Sequence, residues 1–220
     1  MERHTVRTSS ANTWLPLNVI GFDDGPFERS HRGTVLLVGA VCAGTRLDGI
    51  VSGRVRRDGA DATERMVELV RSSQFSEHVR AVLLQGIAVA GFNVVDVPGL
   101  GAELGVPVLV VMRRPPDMGA IERALFSRDP PHRPRVLGAE RKWRLIRDAG
   151  EVERLELDPG KASGLRGRRQ RLWVQRHGVT LEAARRLVAS TTLHGNVPEP
   201  LRLAHLVAGG IVTGRSRGRT

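Results

Sequence analysis

The sequence Val-Ile-Gly-Phe-Asp-Asp-Gly-Pro-Phe, residues 19–27, is an apolar run that stops at two adjacent acids and a Gly-Pro turn. A short apolar run bounded in this way is typical of a buried β-strand. Side chains alternate across a strand, so Asp23 and Asp24 are expected on opposite faces of the sheet, and only one of them can point directly into a shared site. An Asp-Gly pair is also common in an ordinary polar turn. The downstream sequence therefore has to distinguish a functional pair of acids from a simple turn.

The composition predicts one globular domain. The chain has 220 residues, 40% of them hydrophobic, which is enough for one sizeable core. We expect a flexible N-terminal arm over residues 1–16, a domain over 17–212 and a basic tail over 213–220. A single cysteine, Cys42, excludes a disulfide framework or a cysteine metal cluster within the chain. No apolar stretch reaches the roughly 18 residues of a membrane span, and no signal-peptide core is evident, so we expect no membrane association and a cytoplasmic location.

The net charge of +11 is carried almost entirely by arginine, because only Lys142 and Lys161 are lysines among 34 basic residues. Arginine pairs bidentately with phosphate oxygens, so the charge predicts a phosphate-rich partner, although a coding bias toward arginine is an alternative explanation. Two segments concentrate the charge and are predicted to contact phosphate: one contains Lys161, Arg166, Arg168, Arg169, Arg171 and Arg176, and the other contains Arg215, Arg217 and Arg219.

The order of predicted elements indicates an α/β fold. Three closely spaced apolar runs, at 17–23, 34–43 and about 48–57, predict an antiparallel meander. Asp61 is then expected to cap an amphipathic helix. Strands near 79–84 and 106–112 flank a helix near 98–105 as a parallel unit. Further helices are expected at 117–125, 140–149, 180–190 and 200–210, and short strands at 152–157 and 171–175. This order is typical of the ribonuclease H-like fold, a mixed sheet with helices on both faces.

Two acids are predicted to meet at one edge of this sheet. Asp23 ends the first strand, and Asp58 lies where the third strand gives way to the helix. Converging carboxylates bind Mg²⁺, which activates water and neutralises charge on a phosphodiester during hydrolysis. The pair therefore predicts a metal-dependent nuclease, while an Asp-Gly turn at Asp58 remains the structural alternative.

Several blocks of sequence, in the same order, resemble the endonuclease dU family, which is similar to endonuclease V. The resemblance covers about residues 18–210 and is carried by residues 21–27, Asp58-Gly59-x-Asp61-Ala62-Thr63-Glu64, Gly86-Ile87-x-x-Ala90-Gly91-Phe92-Asn93-x-x-Asp96, residues 110–113 and Gly195-Asn196-x-Pro198-Glu199-Pro200-Leu201-Arg202-x-Ala204-His205. It implies a ribonuclease H-like fold and metal-dependent cleavage of DNA that contains deaminated bases, uracil in particular.

The likeness to endonuclease V also implies roles for single residues. It makes Asp23 the first metal ligand and Asp58 the second. Where that family has a third acid, this chain has Gln85, and Asp24, Asp96 and Glu199 are the candidates to replace it. The family's Pro-Tyr-Ile-Pro wedge is absent, since residues 52–55 are Ser-Gly-Arg-Val.

The remaining family blocks have both functional and structural interpretations. The loop with Gly86, Gly91 and Asn93 has two interpretations: it holds the substrate backbone, or it only turns the chain. His205 carries a proton or contacts phosphate, or it packs in the helix. Arg113, Asn196 and Arg202 join Gln85 and these loop residues as predicted substrate contacts, and Glu199 and Asp24 join Asp23, Asp58 and His205 as predicted catalytic residues. Trp143 and Trp173 stack on a base or lie in the core.

The leading hypothesis is a Mg²⁺-dependent DNA endonuclease with a role in DNA repair, in which Mn²⁺ is able to replace Mg²⁺ and the substrate is single-stranded or damaged DNA. A nucleic-acid-binding module with a degenerate site is the rival hypothesis, because Gln85 removes one anionic ligand. A nucleotide-dependent phosphotransferase is the third, and the absence of a Walker-type loop counts against it.

Overall fold

The computed structural model describes residues 18–126, 136–157, 170–193 and 197–217. Their strands are β1 (Asn18–Asp24), β2 (Thr34–Ala43), β3 (Arg46–Arg56), β4 (Val79–Gln85), β5 (Ala88–Val89), β6 (Asn93–Val94), β7 (Val108–Met112), β8 (Glu153–Leu157) and β9 (Gln170–His177). The helices are α1 (Ala62–Arg71), α2 (Val97–Leu104), α3 (Met118–Phe126), α4 (Ala139–Asp148), α5 (Leu181–Thr191) and α6 (Glu199–Thr213).

Seven of the strands form one mixed sheet in the order β3-β2-β1-β4-β7-β9-β8. Strands β1, β4 and β7 are parallel neighbours, whereas β2 and β3 continue the sheet as the predicted antiparallel meander. On the other side, β9 is antiparallel to both β7 and β8. A separate hairpin of β5 and β6 follows β4; the sequence analysis did not predict it, because strands of two residues show no periodicity.

Helices cover both faces of the sheet, as predicted. Alternate residues of β1 divide between the two layers: Ile20 and Phe22 pack with α1 and α2, whereas Val19 packs with α5 and α6. Helix α6 lies directly on β1 at Gly21, where an added Cβ would lie 2.5 Å from the Pro200 carbonyl carbon and 2.6 Å from the Leu201 nitrogen. Gly21 is therefore required for the close approach of the last helix to the first strand.

The start of α1 differs from its prediction. Asp61 occupies the cap position, but its side chain makes no capping hydrogen bond. Instead Asn93 Oδ1 accepts from the Ala62 N–H at 3.0 Å, and Asn93 Nδ2 donates to Asp61 Oδ1 at 2.7 Å. The prediction that the Asp61 side chain caps the helix is thus wrong, because Asn93, 31 positions after Ala62, supplies the oxygen that accepts from the Ala62 N–H. A tertiary contact of this kind leaves no local pattern in the sequence.

Some of the predicted segments and side chains lie outside the described residues, whereas others can be assessed. The predicted N-terminal arm, the segment 158–169 with Lys161, Arg166, Arg168 and Arg169, and Arg219 lie outside the described residues. Trp143 is half-buried and meets Phe126 edge to face, with ring centroids 6.5 Å apart. None of the described helices combines the length and the apolar character needed to cross a bilayer.

Candidate functional site

The carboxyl ends of β1 and β4 lie side by side, because these strands are parallel with Phe22 opposite Leu84. Strand β1 ends at Asp24 and β4 ends at Gln85, so both acids of the opening motif and the glutamine reach one edge of the sheet. Ligand sites in open α/β sheets form outside the carboxyl ends of the strands. The candidate site is therefore at this edge.

Asp23 forms a hydrogen-bonded pair with His205 on α6. The Asp23 Oδ2 and His205 Nδ1 atoms are 2.8 Å apart, although the two residues are separated by 182 positions in the sequence. Asp23 is 9% exposed, and its burial raises the pKa of the carboxyl group, while the contact with His205 opposes that shift. The side chain of His205 is 45% exposed, so an oriented imidazole reaches solvent beside a buried acid.

Asp24 faces the opposite side of the sheet, as the alternation along β1 predicts. Burial, reinforced by the charge of Asp23, raises the pKa of its carboxyl group to about 6, and a hydrogen bond from the Ala90 backbone opposes the shift. Two adjacent acids with raised pKa values are typical of functional sites, although structural networks also produce them.

Asp58 approaches Asp24 through Ala90. The Asp58 N–H donates to the Ala90 carbonyl at 2.9 Å, and Asp58 Oδ1 accepts from the Phe92 N–H at 2.8 Å. Arg57 Nε forms an ion pair with Asp58 Oδ2 at 3.2 Å and makes no hydrogen bond. The observed contacts thus connect Asp58 with Asp24 on one side of the sheet and Asp23 with His205 on the other. A direct convergence of Asp23 and Asp58 on one metal stays a prediction.

Two predicted substrate contacts have structural partners around Asp58. Gly91 makes room for that acid, since a Cβ on Gly91 would lie 2.4 Å from Asp58 Oδ1. Asn93 is fully buried, and besides its contacts at the start of α1 it donates to the Arg56 carbonyl at 2.9 Å. These positions favour the turn interpretation for both residues over direct contact with substrate.

Lys142 is a component of this region that the sequence analysis did not identify. Its side chain is 2% exposed, and its Nζ donates to the Asp58 carbonyl at 2.5 Å. Burial lowers the pKa of the ammonium group, and the negative charge of Asp58 partly restores it. The available signal was compositional: a lysine is conspicuous in a chain whose basic residues are otherwise almost all arginine.

Gln85, Gly86 and Arg113 line a cavity of about 270 Å³ at the ends of β4 and β7. Its other walls are Val111, Met112, Leu172 and Val197. Gly86 has a φ of +88°, and no atom lies within 4 Å of the position a Cβ would take. The predicted substrate residues of this group therefore lie together, beside the acids that end β1.

Other candidates lie away from this edge. Glu199 is 2% exposed and pairs with Arg202, whose Nε donates to Glu199 Oε2 at 2.9 Å. The charge of Glu199 acts on Cys42, which is opposite Val19 at the other end of β1. Asp96 caps α2 by accepting from the Gly99 N–H at 2.9 Å. Neither acid lies where Gln85 replaces an acid, and Asn196 lies outside the described residues.

The oxygen ligands of the site are of the type that Mg²⁺ prefers, but their arrangement is incomplete as a metal site. Within the described ranges, no group of three or more His, Cys, Asp or Glu side chains is placed to hold a metal ion. Asp23 is engaged by His205, and Asp58 is engaged by the Phe92 amide. The side chains as they stand therefore do not form a complete cation site.

The sheet order, the helices on both faces and the acids that end β1 define a ribonuclease H-like α/β protein. Solved structures agree. Endonuclease V of Ciona intestinalis, in complex with a 24mer DNA containing an inosine followed by a ribo-adenosine, is similar with a TM-score of 0.54 and 14% identity, over 86% of this chain and 82% of that one. The predicted fold is confirmed.

Sequence relatives identify the family. The chain belongs to the endonuclease dU family, whose model matches residues 16–212. A UPF0215 protein of Deinococcus radiodurans is 48% identical over 202 residues, which is 92% of each chain. A protein of unknown function from Archaeoglobus fulgidus has a solved structure that matches with a TM-score of 0.73 and 31% identity, over 90% of this chain and 99% of that one. Family and fold together support a nuclease, and hence a hydrolase.

Proposed function

We propose that this protein is a divalent-metal-dependent endonuclease that hydrolyses DNA containing deaminated bases, with uracil as the favoured lesion and a role in DNA repair in the cytoplasm. The observation that carries the proposal is the Asp23–His205 pair, held at the carboxyl end of the first strand of a chain from the endonuclease dU family. Buried acids beside an oriented histidine are suited to proton transfer.

The chemistry assigned to the pair is general acid–base catalysis. Asp23 holds Nδ1 of His205, which fixes the ring orientation and leaves the imidazole half-exposed at the site. An imidazole in this position accepts a proton from an attacking water or returns one to the leaving oxygen. Mg²⁺, or Mn²⁺ in its place, is proposed as the cofactor on the chemistry of the acids, with Asp23 and Asp58 as proposed ligands and Asp24 as the third acid nearby.

Arginines around the site support DNA as the partner. The chain segments that leave this edge of the sheet carry exposed basic side chains: Arg29 and Arg32 after β1, Arg113 and Arg114 after β7, and Arg215 and Arg217 after α6. Helix α6 ends at the same edge, because a Cβ on Gly25 would lie 2.8 Å from Val212. Exposed arginines near a group of acids are able to bind the phosphates on both sides of the phosphodiester bond that is cleaved.

The loop after β1 is held in place from beneath. Arg57 Nη1 donates to the carbonyls of Arg29, at 2.6 Å, and His31, and its guanidinium lies 5.5 Å from the centre of the Phe27 ring. A partly buried arginine thus orders the segment that presents Arg29 and Arg32 to solvent.

The cavity beside Gln85 supports a base-reading role. Apolar side chains form much of its lining, and the Gln85 carboxamide offers both a donor and an acceptor. Uracil presents a carbonyl next to an N–H, which one primary amide is able to match with two hydrogen bonds. On this proposal the neutral side chain of Gln85 selects the base and takes no part in metal binding.

A nucleic-acid-binding module without catalysis is the second candidate. The incomplete cation site and the neutral Gln85 favour it. The same exposed arginines would serve equally well in binding DNA without cleavage, so cleavage has to be measured directly.

The deciding experiment is cleavage of labelled single- and double-stranded oligonucleotides that carry one uracil, one hypoxanthine or neither, in Mg²⁺ or EDTA. We expect metal-dependent nicking near the lesion, abolished by Asp23→Ala and slowed about 10²- to 10⁴-fold by His205→Ala, the usual range for loss of a general acid or base. Asp148→Ala and His78→Ala, at exposed positions, are the matched controls and are expected to cleave like the wild type. Binding without nicking in every condition would instead establish the module.

A further inference from the structure

Lys142 on helix α4 contacts the backbone of Asp58 at the candidate site. It is the only lysine in the described part of the chain, it is 2% exposed, and its Nζ contacts the backbone oxygen of a residue 84 positions earlier. Buried lysines are rare because removing an ammonium group from water is costly. An apolar side chain of similar length would fill the same space without that cost, so packing alone does not account for lysine here.

The residue it contacts has an unusual backbone. Asp58 has a φ of +52°, in the left-handed region that residues other than glycine, asparagine and aspartate rarely adopt. Such a conformation persists only when its surroundings hold it. Asp58 is held by three hydrogen bonds: its N–H donates to Ala90, its Oδ1 accepts from Phe92, and its carbonyl accepts from Lys142.

We propose that Lys142 is a positioning residue for the candidate centre: its buried ammonium group holds the Asp58 carbonyl, maintains the left-handed backbone there, and so directs the Asp58 carboxylate over the β5–β6 hairpin. The ammonium donor comes from a helix outside the main sheet, whereas the other two hydrogen bonds come from the hairpin itself. The relevance of this contact to DNA cleavage rests on the proposed function, but the positioning does not.

If Lys142 only stabilises the fold, Lys142→Met should lower stability; if it positions Asp58, the substitution should mainly disturb the backbone around Asp58. Methionine has nearly the same length, removes the buried charge and loses only the hydrogen bond to Asp58. Replacing a buried charged group by an apolar one is often neutral or stabilising. We therefore expect the melting temperature of Lys142→Met to be equal to or above that of the wild type, while the order around Asp58 decreases.

Amide hydrogen exchange measures that order without any requirement for activity. In Lys142→Met we expect the Asp58 and Phe92 amides to exchange about tenfold faster, the effect of losing about 1.4 kcal/mol of local hydrogen bonding. The Val82 amide, which donates to Pro107 in the sheet, is the internal reference and is expected not to change. Ile146→Ala is the matched control, because it removes a buried apolar side chain from the same helix, and that side chain makes no hydrogen bond to Asp58. In this variant the exchange rates are expected to rise at all three amides together.

Cleavage kinetics supply the second measurement. With the metal present, Lys142→Met is expected to lower kcat at least tenfold and leave KM within twofold, because DNA still binds to the arginines. Unchanged exchange at Asp58 and Phe92 would overturn the positioning role, and so would a kcat within twofold of the wild type. If the wild type itself cleaves no DNA, the proposed function fails, and the exchange rates alone decide the proposal for Lys142.

Discussion

The Asp23 carboxyl group and the His205 ring become partners only in the folded chain. Their roles as candidates could be predicted from the sequence, because a strand that ends in acids and a histidine in a family motif are local features. Their pairing could not, since residues 182 positions apart have no local relation. The same holds for Lys142, whose position beside Asp58 depends on the packing of α4.

Asp24 gives a pH dependence at this scale. Its pKa is about 6 in the folded protein and near 3.9 in an unfolded chain, so the folded state binds more protons between these values. Stability contributed by this group is therefore present below about pH 4 and is lost as the pH rises through about 6. We expect Asp24→Asn to be more stable than the wild type at pH 7.5, by roughly 1 to 3 kcal/mol, and equal to it near pH 4.

Urea unfolding in EDTA at the two pH values measures this difference. Asp148→Asn, an exposed control on α4, is expected to show no such dependence. A stability difference between Asp24→Asn and the wild type that stays constant with pH would show that the Asp24 carboxyl group is not responsible.

The junction between β3, α1 and the β5–β6 hairpin sets the limit of sequence prediction at the scale of elements. The start of α1 and the boundaries of the long strands were predicted to within about two residues, because their apolar periodicity is strong. The hairpin and the capping contact from Asn93 were not, because they depend on a loop folding back onto a helix start. Arg56, Asp61 and Asn93 form one hydrogen-bonded corner, two residues along the chain from Asp58.

Asn93→Ala tests the structural role of that corner. The substitution leaves the Ala62 N–H, the Arg56 carbonyl and the Asp61 carboxylate each short of a partner in or near a buried region. Because an unsatisfied buried polar group costs about 1 to 3 kcal/mol, we expect a total loss of about 2 to 4 kcal/mol in the free energy of unfolding. Gln74→Ala, at an exposed position, is the control. Full stability with a raised KM for DNA would instead assign Asn93 to substrate binding.

Across the whole molecule, the sequence predicted a mixed sheet with helices on both faces, and the structure has it. The order of the last two strands was not predicted. The strand that pairs with β7 is β9, although β8 follows β7 in the sequence, and β8 forms the edge of the sheet beyond β9. The distribution of charge also belongs to this scale. Exposed arginines follow the carboxyl ends of β1 and β7 and the end of α6, although these segments are far apart in the sequence.

Salt dependence of DNA binding tests that distribution. Each phosphate contact contributes about −0.9 to the slope of log K against log salt concentration. We expect Arg29→Gln and Arg215→Gln each to make the slope less negative by about 1, whereas Arg186→Gln, in an ion pair with Glu182 on α5, leaves it unchanged. Fluorescence anisotropy with undamaged double-stranded DNA in EDTA is the measurement. Equal slopes for all three variants would place the DNA elsewhere.

The contact of α6 with β1 has a consequence for biosynthesis. Of the described elements, β1 is the first to leave the ribosome, and α6, which carries His205, is the last. Domains generally fold as units during synthesis, so a nascent chain that has exposed only the β-meander with Asp23 is an incomplete domain. It still lacks the imidazole, and Gly21 has no helix above it. The pairing of Asp23 with His205 is thus completed only after α6 has been synthesised, and a chain that terminates before α6 exposes an apolar strand and has no assembled centre.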